Sequence, residues 1–230
     1  FLQKFFHLYR ARPLVDFLPW FYYNLHNENF SRGKRWANAF VPWSRPRKKT
    51  GQTMSEKKQK DPFRMKIIIS PAKKMNVDTD SFDCRDLPLF LACTQRLLSS
   101  LLTMSLDQLR VLWKCSEPLA RQNYERLHRI NLYANLTPAI LAYEGIQYQY
   151  MAPGVFTYGE LEYIQEHLRI LSGFYGLLRP FDGVAPYRLE MQAKLAVDGA
   201  ADLYAFWADA LALALSREDD VILNLASKEY

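Results

Sequence analysis

Nowhere in the 230 residues does an uninterrupted apolar run reach the roughly 18 needed to cross a membrane. The nearest approach, residues 14–25, is broken by Asp16, Pro19 and Asn24, so no membrane partner is expected. Cysteine is scarce as well. Cys84, Cys93 and Cys115 are an odd number at spacings that suit neither a zinc site nor a CxxC redox pair, and they read as reduced, packed thiols. The four histidines include His128 and His167, which lack the neighbouring ligands that a metal centre needs, so neither a metal nor another cofactor is expected. The start shows no charged region, apolar stretch and cleavage site in the order of a signal peptide, and the expected location is the cytoplasm.

What the chain does have is an ordinary globular balance, 49% apolar and 23% charged, with a net charge of +6 that is unevenly spread. Residues 1–64 carry 14 Lys and Arg against 4 Asp and Glu, a net +10, and residues 65–230 carry 16 against 20, a net −4. Any polyanion held by the second part must therefore meet a local cluster, because the bulk charge repels it. The first 64 residues also lack a sustained helical or strand period and are punctuated by five prolines and a basic, polar linker over 45–60. They are expected to be an extension outside the fold, disordered or non-native, with initiation at Met54 or Met65. A basic arm that helps to bind anions is the alternative.

From Met65 the texture changes. Residues 66–70 (KIIIS) form a short β-branched run of the kind that fills a buried parallel strand. Leucines at helical spacing predict a helix over 86–102. Ser105 with Gln108 is a capping box for a helix over 106–113, and Ser116 with Pro118 opens another that reaches about Ile130. Residues 139–143 (AILAY) predict a strand. Thr157 with Glu160 predicts a helix running to about Ser172 and stopped by Gly173 and Gly176, residues 177–191 a loop, and 201–215 a helix. Residues 221–226 (VILNLA) predict a last buried strand. Strands separated by helices give an α/β (mixed α+β) domain over 65–230, with a mostly parallel or mixed sheet. A chain that stops four residues past a buried strand is expected to be incomplete at its C-terminus.

Four segments in this order carry a family resemblance: MKIIISPAK from Met65, AILAYEGIQY from Ala139, LRILSGFYGLLRPFD with PYRLEM between His167 and Met191, and LYAFW from Leu203 with NLASKEY from Asn224. Together they resemble the YaaA family of peroxide stress resistance proteins. The family commonly has Thr where this chain has Lys74. The resemblance implies a cytoplasmic peroxide-stress protein that protects DNA, is linked to lower free intracellular iron and to recombinational repair, and binds duplex or junction DNA. It also implies a positively charged cleft and a helix-hairpin-helix element. No enzymatic activity comes with it.

In open parallel sheets ligands collect outside the carboxyl ends of the strands. Two expected strands run there into polar residues, Ser70 and Lys73 after the first, and Asn224, Ser227 and Lys228 at the last. The Pro- and Gly-rich loop adds Arg179, Tyr187 and Arg188. Arginine suits phosphate through its planar fork, so Lys73, Arg179, Arg188 and Lys228, with Ser70, Tyr187 and Asn224, form the expected phosphate-binding set. The plainer reading pairs Arg179 with Asp182 and Arg188 with Glu190 inside the fold. The Gly173–Gly176 turn reads either as a helix cap or as a phosphate-gripping hairpin, with the helices over 105–130 as the other place for that hairpin. Tyr143, Tyr148, Tyr175, Tyr187, Tyr204, Phe206 and Trp207 offer faces for unpaired bases, although most read as core. An alternative function is an enzyme acting on a small phosphorylated or carboxylated molecule at a compact strand-end pocket, with Glu190 and Lys73 as catalytic candidates and Glu229 as a possible acid/base partner of Glu190.

Overall fold

The computed structural model describes residues 65–230. The expectations for residues 1–64 lie outside the described residues.

The run Lys66–Ile69 (β1) is a strand buried at all four positions and sits inside a four-stranded sheet. It pairs in parallel with Leu168–Ser172 (β2), Ile67 opposite Leu168, and on its other side in parallel with Ile222–Asn224 (β4), Ile67 opposite Leu223. Gly176–Leu178 (β3) folds back antiparallel on β2, so the sheet is mixed, in the order β3-β2-β1-β4. Three consecutive isoleucines suit β1 because their branched side chains pack on both faces at once.

Around the sheet lie the helices Leu91–Leu102 (α1), Leu106–Trp113 (α2), Glu117–Arg129 (α3), Tyr158–His167 (α4), Leu203–Trp207 (α5) and Ala210–Glu218 (α6). Shorter one- or two-turn helices occupy Ala139–Ala142 and Ile146–Met151. On one face Ile68, Leu171 and Leu177 meet Leu215 of α6, with Phe90 and Tyr230 packed alongside. Both predicted capping boxes form, Ser105 with Gln108 and Thr157 with Glu160.

Five expectations are corrected. The helix predicted to run to Ser172 ends at His167, and Leu168–Ser172 is β2, the parallel neighbour of β1. All five of its residues are buried, and a strand enclosed on both faces shows no alternation by which sequence separates it from a helix. Gly173 and Gly176 consequently belong to a β-hairpin turn and are neither a helix cap nor a helical hairpin. Residues 139–142 form a helical turn, with only Tyr143–Glu144 extended, as suits an Ala-rich run. The helix predicted over 86–102 begins at Leu91, because Asp86 is held in a bridge with Asp182 and Pro88 follows. The helix predicted over 201–215 is broken at Ala208, which takes a positive φ of 40° between α5 and α6.

The amino ends of the strands are clamped by charge. Lys66 meets Asp219 at 3.3 Å with both side chains buried, and Arg169 donates through Nε to Glu218 at 2.8 Å. Removing one partner of such a buried pair leaves an uncompensated charge and costs about 3–5 kcal/mol. With one end of the sheet closed in this way, the opposite end is the one free to build a site.

Candidate functional site

At the carboxyl ends of β1, β2 and β4 three segments converge on a small cleft with about 30 Å³ of open space: residues 71–73 after β1, the strap 187–190, and residues 229–230 after β4. Parallel pairing of β1 with β4 brings the first and last together, since it sets both carboxyl ends side by side. The backbone N–H of Ser227 donates to Ser70 Oγ at 2.7 Å, and the Tyr148 hydroxyl donates to the Ser70 carbonyl at 2.8 Å. Ser70 and Asn224, expected as ligand contacts, serve turns: Asn224 Oδ1 accepts from the N–H of Ala226. Lys228, the residue before Glu229 in the chain, is exposed.

The strap is pressed against the end of β2 at Gly173. A Cβ there would stand 2.9 Å from Leu189 O, Glu190 C and Met191 N, so only glycine lets the two backbones touch. Tyr187 pins the strap from the other side. Its hydroxyl lies 2.9 Å from that of Tyr143 and 2.7 Å from Ser172 Oγ, and burial pushes it up to about 12. Its ring stacks on Phe174 at 4.9 Å, and Tyr143, Tyr148, Tyr175 and Trp207 are likewise core, which leaves Tyr204 as an exposed member of the aromatic set.

Inside the cleft Lys73 Nζ is 2.9 Å from Glu190 Oε2, and Arg188 Nη2 is 3.8 Å from Glu190 Oε1. One carboxylate thus serves two cations, and it serves the second poorly, because 3.8 Å is too long for a hydrogen bond. The Arg188 side chain is only 11% exposed, and its Nε is buried with no hydrogen-bond partner among the described residues. Glu229 lies at the same mouth, accepting from Gln192 Nε2 at 2.9 Å. Burial, and then the negative charge of Glu190, lift its carboxyl above the usual range, while Lys73 works the other way.

Arg179 does not join this cleft. Its backbone N–H and its Nε donate to the buried Asp182, and its Nη2 lies 3.2 Å from Asp86, so it locks the loop after β3. The plainer sequence reading describes Arg179 and, loosely, Arg188. The expected cluster of four free cations therefore contracts to Lys73 and Arg188 sharing Glu190, with Lys228 on the rim. Sequence could not show this, because the pairing depends on the return of the strap to β2.

A different basic surface lies on the helical pair α2 and α3, which pack together across Lys114, Cys115 and Ser116. Arg110, Lys114, Arg126 and Arg129 are exposed there and have no ion pair among the described residues, whereas Arg121 pairs with Glu117 along α3. Lys114 holds a left-handed conformation with φ 47° to end α2. This is the other place the sequence allowed for a helical hairpin.

Among the described residues no group of three or more His, Cys, Asp and Glu side chains is disposed to hold a metal ion. None of the described helices is long and apolar enough to cross a membrane.

The fold and site together define a mixed α/β domain whose parallel strands end on a compact, charged cleft and whose flank carries a basic helical hairpin. A family model described as "Peroxide stress protein YaaA" matches residues 65–230. The chain belongs to this family of peroxide stress proteins, as the four sequence segments indicated. A UPF0246 protein of Pediococcus pentosaceus is 58% identical over 166 residues, covering 72% of this chain and 66% of that protein. Those of Lactiplantibacillus plantarum and Agathobacter rectalis are 58% and 53% identical over the same length, each covered to 67%. The chain spans about two thirds of the length of these relatives.

Proposed function

We propose that this protein serves peroxide resistance by binding duplex or junction DNA, with the α2–α3 hairpin as its main phosphate-binding surface. The observation that carries the reading is the set of exposed cations on that hairpin, Arg110, Lys114, Arg126 and Arg129, without carboxylate partners among the described residues. Residues 105–130 hold five Lys and Arg against three Asp and Glu, a net +2, inside a region of net −4. A local excess of this kind is what steers a polyanion onto an otherwise acidic body. Lys73 and Lys228 on the strand-end rim supply a second, weaker attachment. To this reading belongs the link to lower free intracellular iron, which is measured as chelatable iron in peroxide-treated cells with and without the protein.

The test is fluorescence anisotropy with labelled duplex and four-way-junction DNA on the full chain. Arg126→Gln combined with Arg129→Gln is expected to weaken binding to both DNAs by tenfold or more, and Arg179→Gln to leave it unchanged. Equal affinity of wild type and the double variant, at equal thermal stability, would remove the hairpin from the account.

A further inference from the structure

The strand-end cleft contains an arginine whose bonding is incomplete. Arg188 is nine-tenths enclosed, its Nε is buried and unpartnered among the described residues, and the adjacent Nη2 has a 3.8 Å approach from Glu190. Nε and Nη2 form the side-on edge of the guanidinium, the edge that grips a planar two-oxygen anion through parallel hydrogen bonds. A buried donor pair left in this state points to a ligand that completes it. The carboxylate nearest to it comes from the strap itself, and its better approach, 2.9 Å, goes to Lys73 at the mouth. Glu190 cannot satisfy both cations from where it stands.

We propose that the cleft is a binding site for a small carboxylic acid, whose carboxylate takes the Nε/Nη2 edge of Arg188 and the ammonium of Lys73 and displaces Glu190 toward solvent. Glu190 then acts as an internal competitor that keeps the cations neutralised until the ligand arrives. The walls fit such a molecule. Pro71, Ala72, Tyr187, Leu189 and Tyr230 line the cleft beside its charged groups. Charge favours a carboxylate over a phosphate, because Glu229 stands beside the position vacated by Glu190 and a second negative charge would be placed against it. The open space of the cleft, about 30 Å³, excludes a duplex and holds little more than a water, so a carboxylate enters only as Glu190 swings out and vacates its own volume. The site is separate from the hairpin and shares with the DNA reading only the weaker rim contact of Lys73, so its failure leaves the hairpin's role untouched.

The test uses the full chain at constant ionic strength, with acetate, succinate and inorganic phosphate as probes, followed by calorimetry and by the Arg188 Nε–H resonance in a nitrogen-correlated NMR spectrum. In the wild type that resonance is expected to shift saturably with succinate or acetate, and to be absent from Arg188→Lys, which assigns it. Glu190→Gln keeps an oxygen for Lys73 but removes the competing charge, and it is expected to bind carboxylates at least tenfold more tightly than wild type. Adding Arg188→Lys to it is expected to abolish the gain. No saturable shift in the wild type together with no heat in folded Glu190→Gln would overturn the proposal. So would equal carboxylate affinity in Glu190→Gln with and without Arg188→Lys, or tighter binding of phosphate than of either carboxylate. Where a variant fails to fold, the wild-type resonance is assigned by through-bond correlation instead, and the absence of a saturable shift with either carboxylate then overturns the proposal by itself.

Discussion

Asp182 shows how much a single buried carboxylate can impose on the fold. It is fully enclosed, accepts from the Arg179 backbone and guanidinium, and faces Asp86 through a bridge. Burial outweighs those donors and lifts its carboxyl to about 6. The folded protein therefore retains a proton between about pH 4 and 6, where the unfolded chain, with a carboxyl near about 3.9, has released it. Stability must fall as pH rises through that window and level off above it, by about 3 kcal/mol in total from this group. Urea unfolding at about pH 4.5 and about pH 7 is expected to show a smaller decrease in Asp182→Asn than in wild type, and an identical decrease in both would refute the assignment. Gly173 is the second such residue. Gly173→Ala is expected to lose about 1–3 kcal/mol of stability, because the strap at Leu189–Met191 has to move off β2, and the loss is read from the urea midpoint. Cys84 completes the residue scale: burial raises its thiol and its Sγ meets the Leu136 carbonyl at 3.6 Å, so alkylation by iodoacetamide at neutral pH is expected to be slow compared with an unfolded control.

Elements were legible in the sequence in proportion to how local their signals are. The two capping boxes and the β-branched run of β1 mark helix starts and a strand that the structure reproduces, since each rests on neighbours close in the chain. β2 was hidden because it is buried on every side and continues directly from α4 without a turn residue, so its helical reading yields only to pairing with β1 and β3. Within the site, Lys73, Arg188, Glu190 and Tyr187 were visible as types in the right loops. The return of the strap onto Gly173, which makes Lys73 and Arg188 share one carboxylate, and the commitment of Arg179 to Asp182 were not visible. Lys114 supplies a prediction at this scale. A lysine with φ 47° is strained by roughly 1 kcal/mol relative to glycine, so Lys114→Gly is expected to raise stability slightly while it weakens DNA binding. Thermal melting and anisotropy on the same sample separate the two effects, and parallel loss of both would show that Lys114 acts only through the fold.

At the scale of the whole domain over residues 65–230 the sheet divides the charge by position. Its amino end is closed by the buried pairs Lys66 with Asp219 and Arg169 with Glu218, which leaves the carboxyl end open for the cleft. Four exposed cations without an ion pair among the described residues lie elsewhere, on α2 and α3. On the two readings proposed above, this separation lets a region of net −4 hold a small anion at one place and a polyanion at another. It also means that the two kinds of binding respond differently to salt, because exposed cations are screened over roughly 8–10 Å at physiological ionic strength while an enclosed guanidinium is screened far less. The decisive measurement is therefore the slope of the logarithm of the DNA association constant against the logarithm of salt concentration. Wild type is expected to give a negative slope, and changing Arg126 and Arg129 together to Gln is expected to make it shallower by about 0.9 for each phosphate that these two arginines neutralise. Absence of binding at low salt, or the same slope in wild type and variant, would refute the hairpin as the DNA-binding surface.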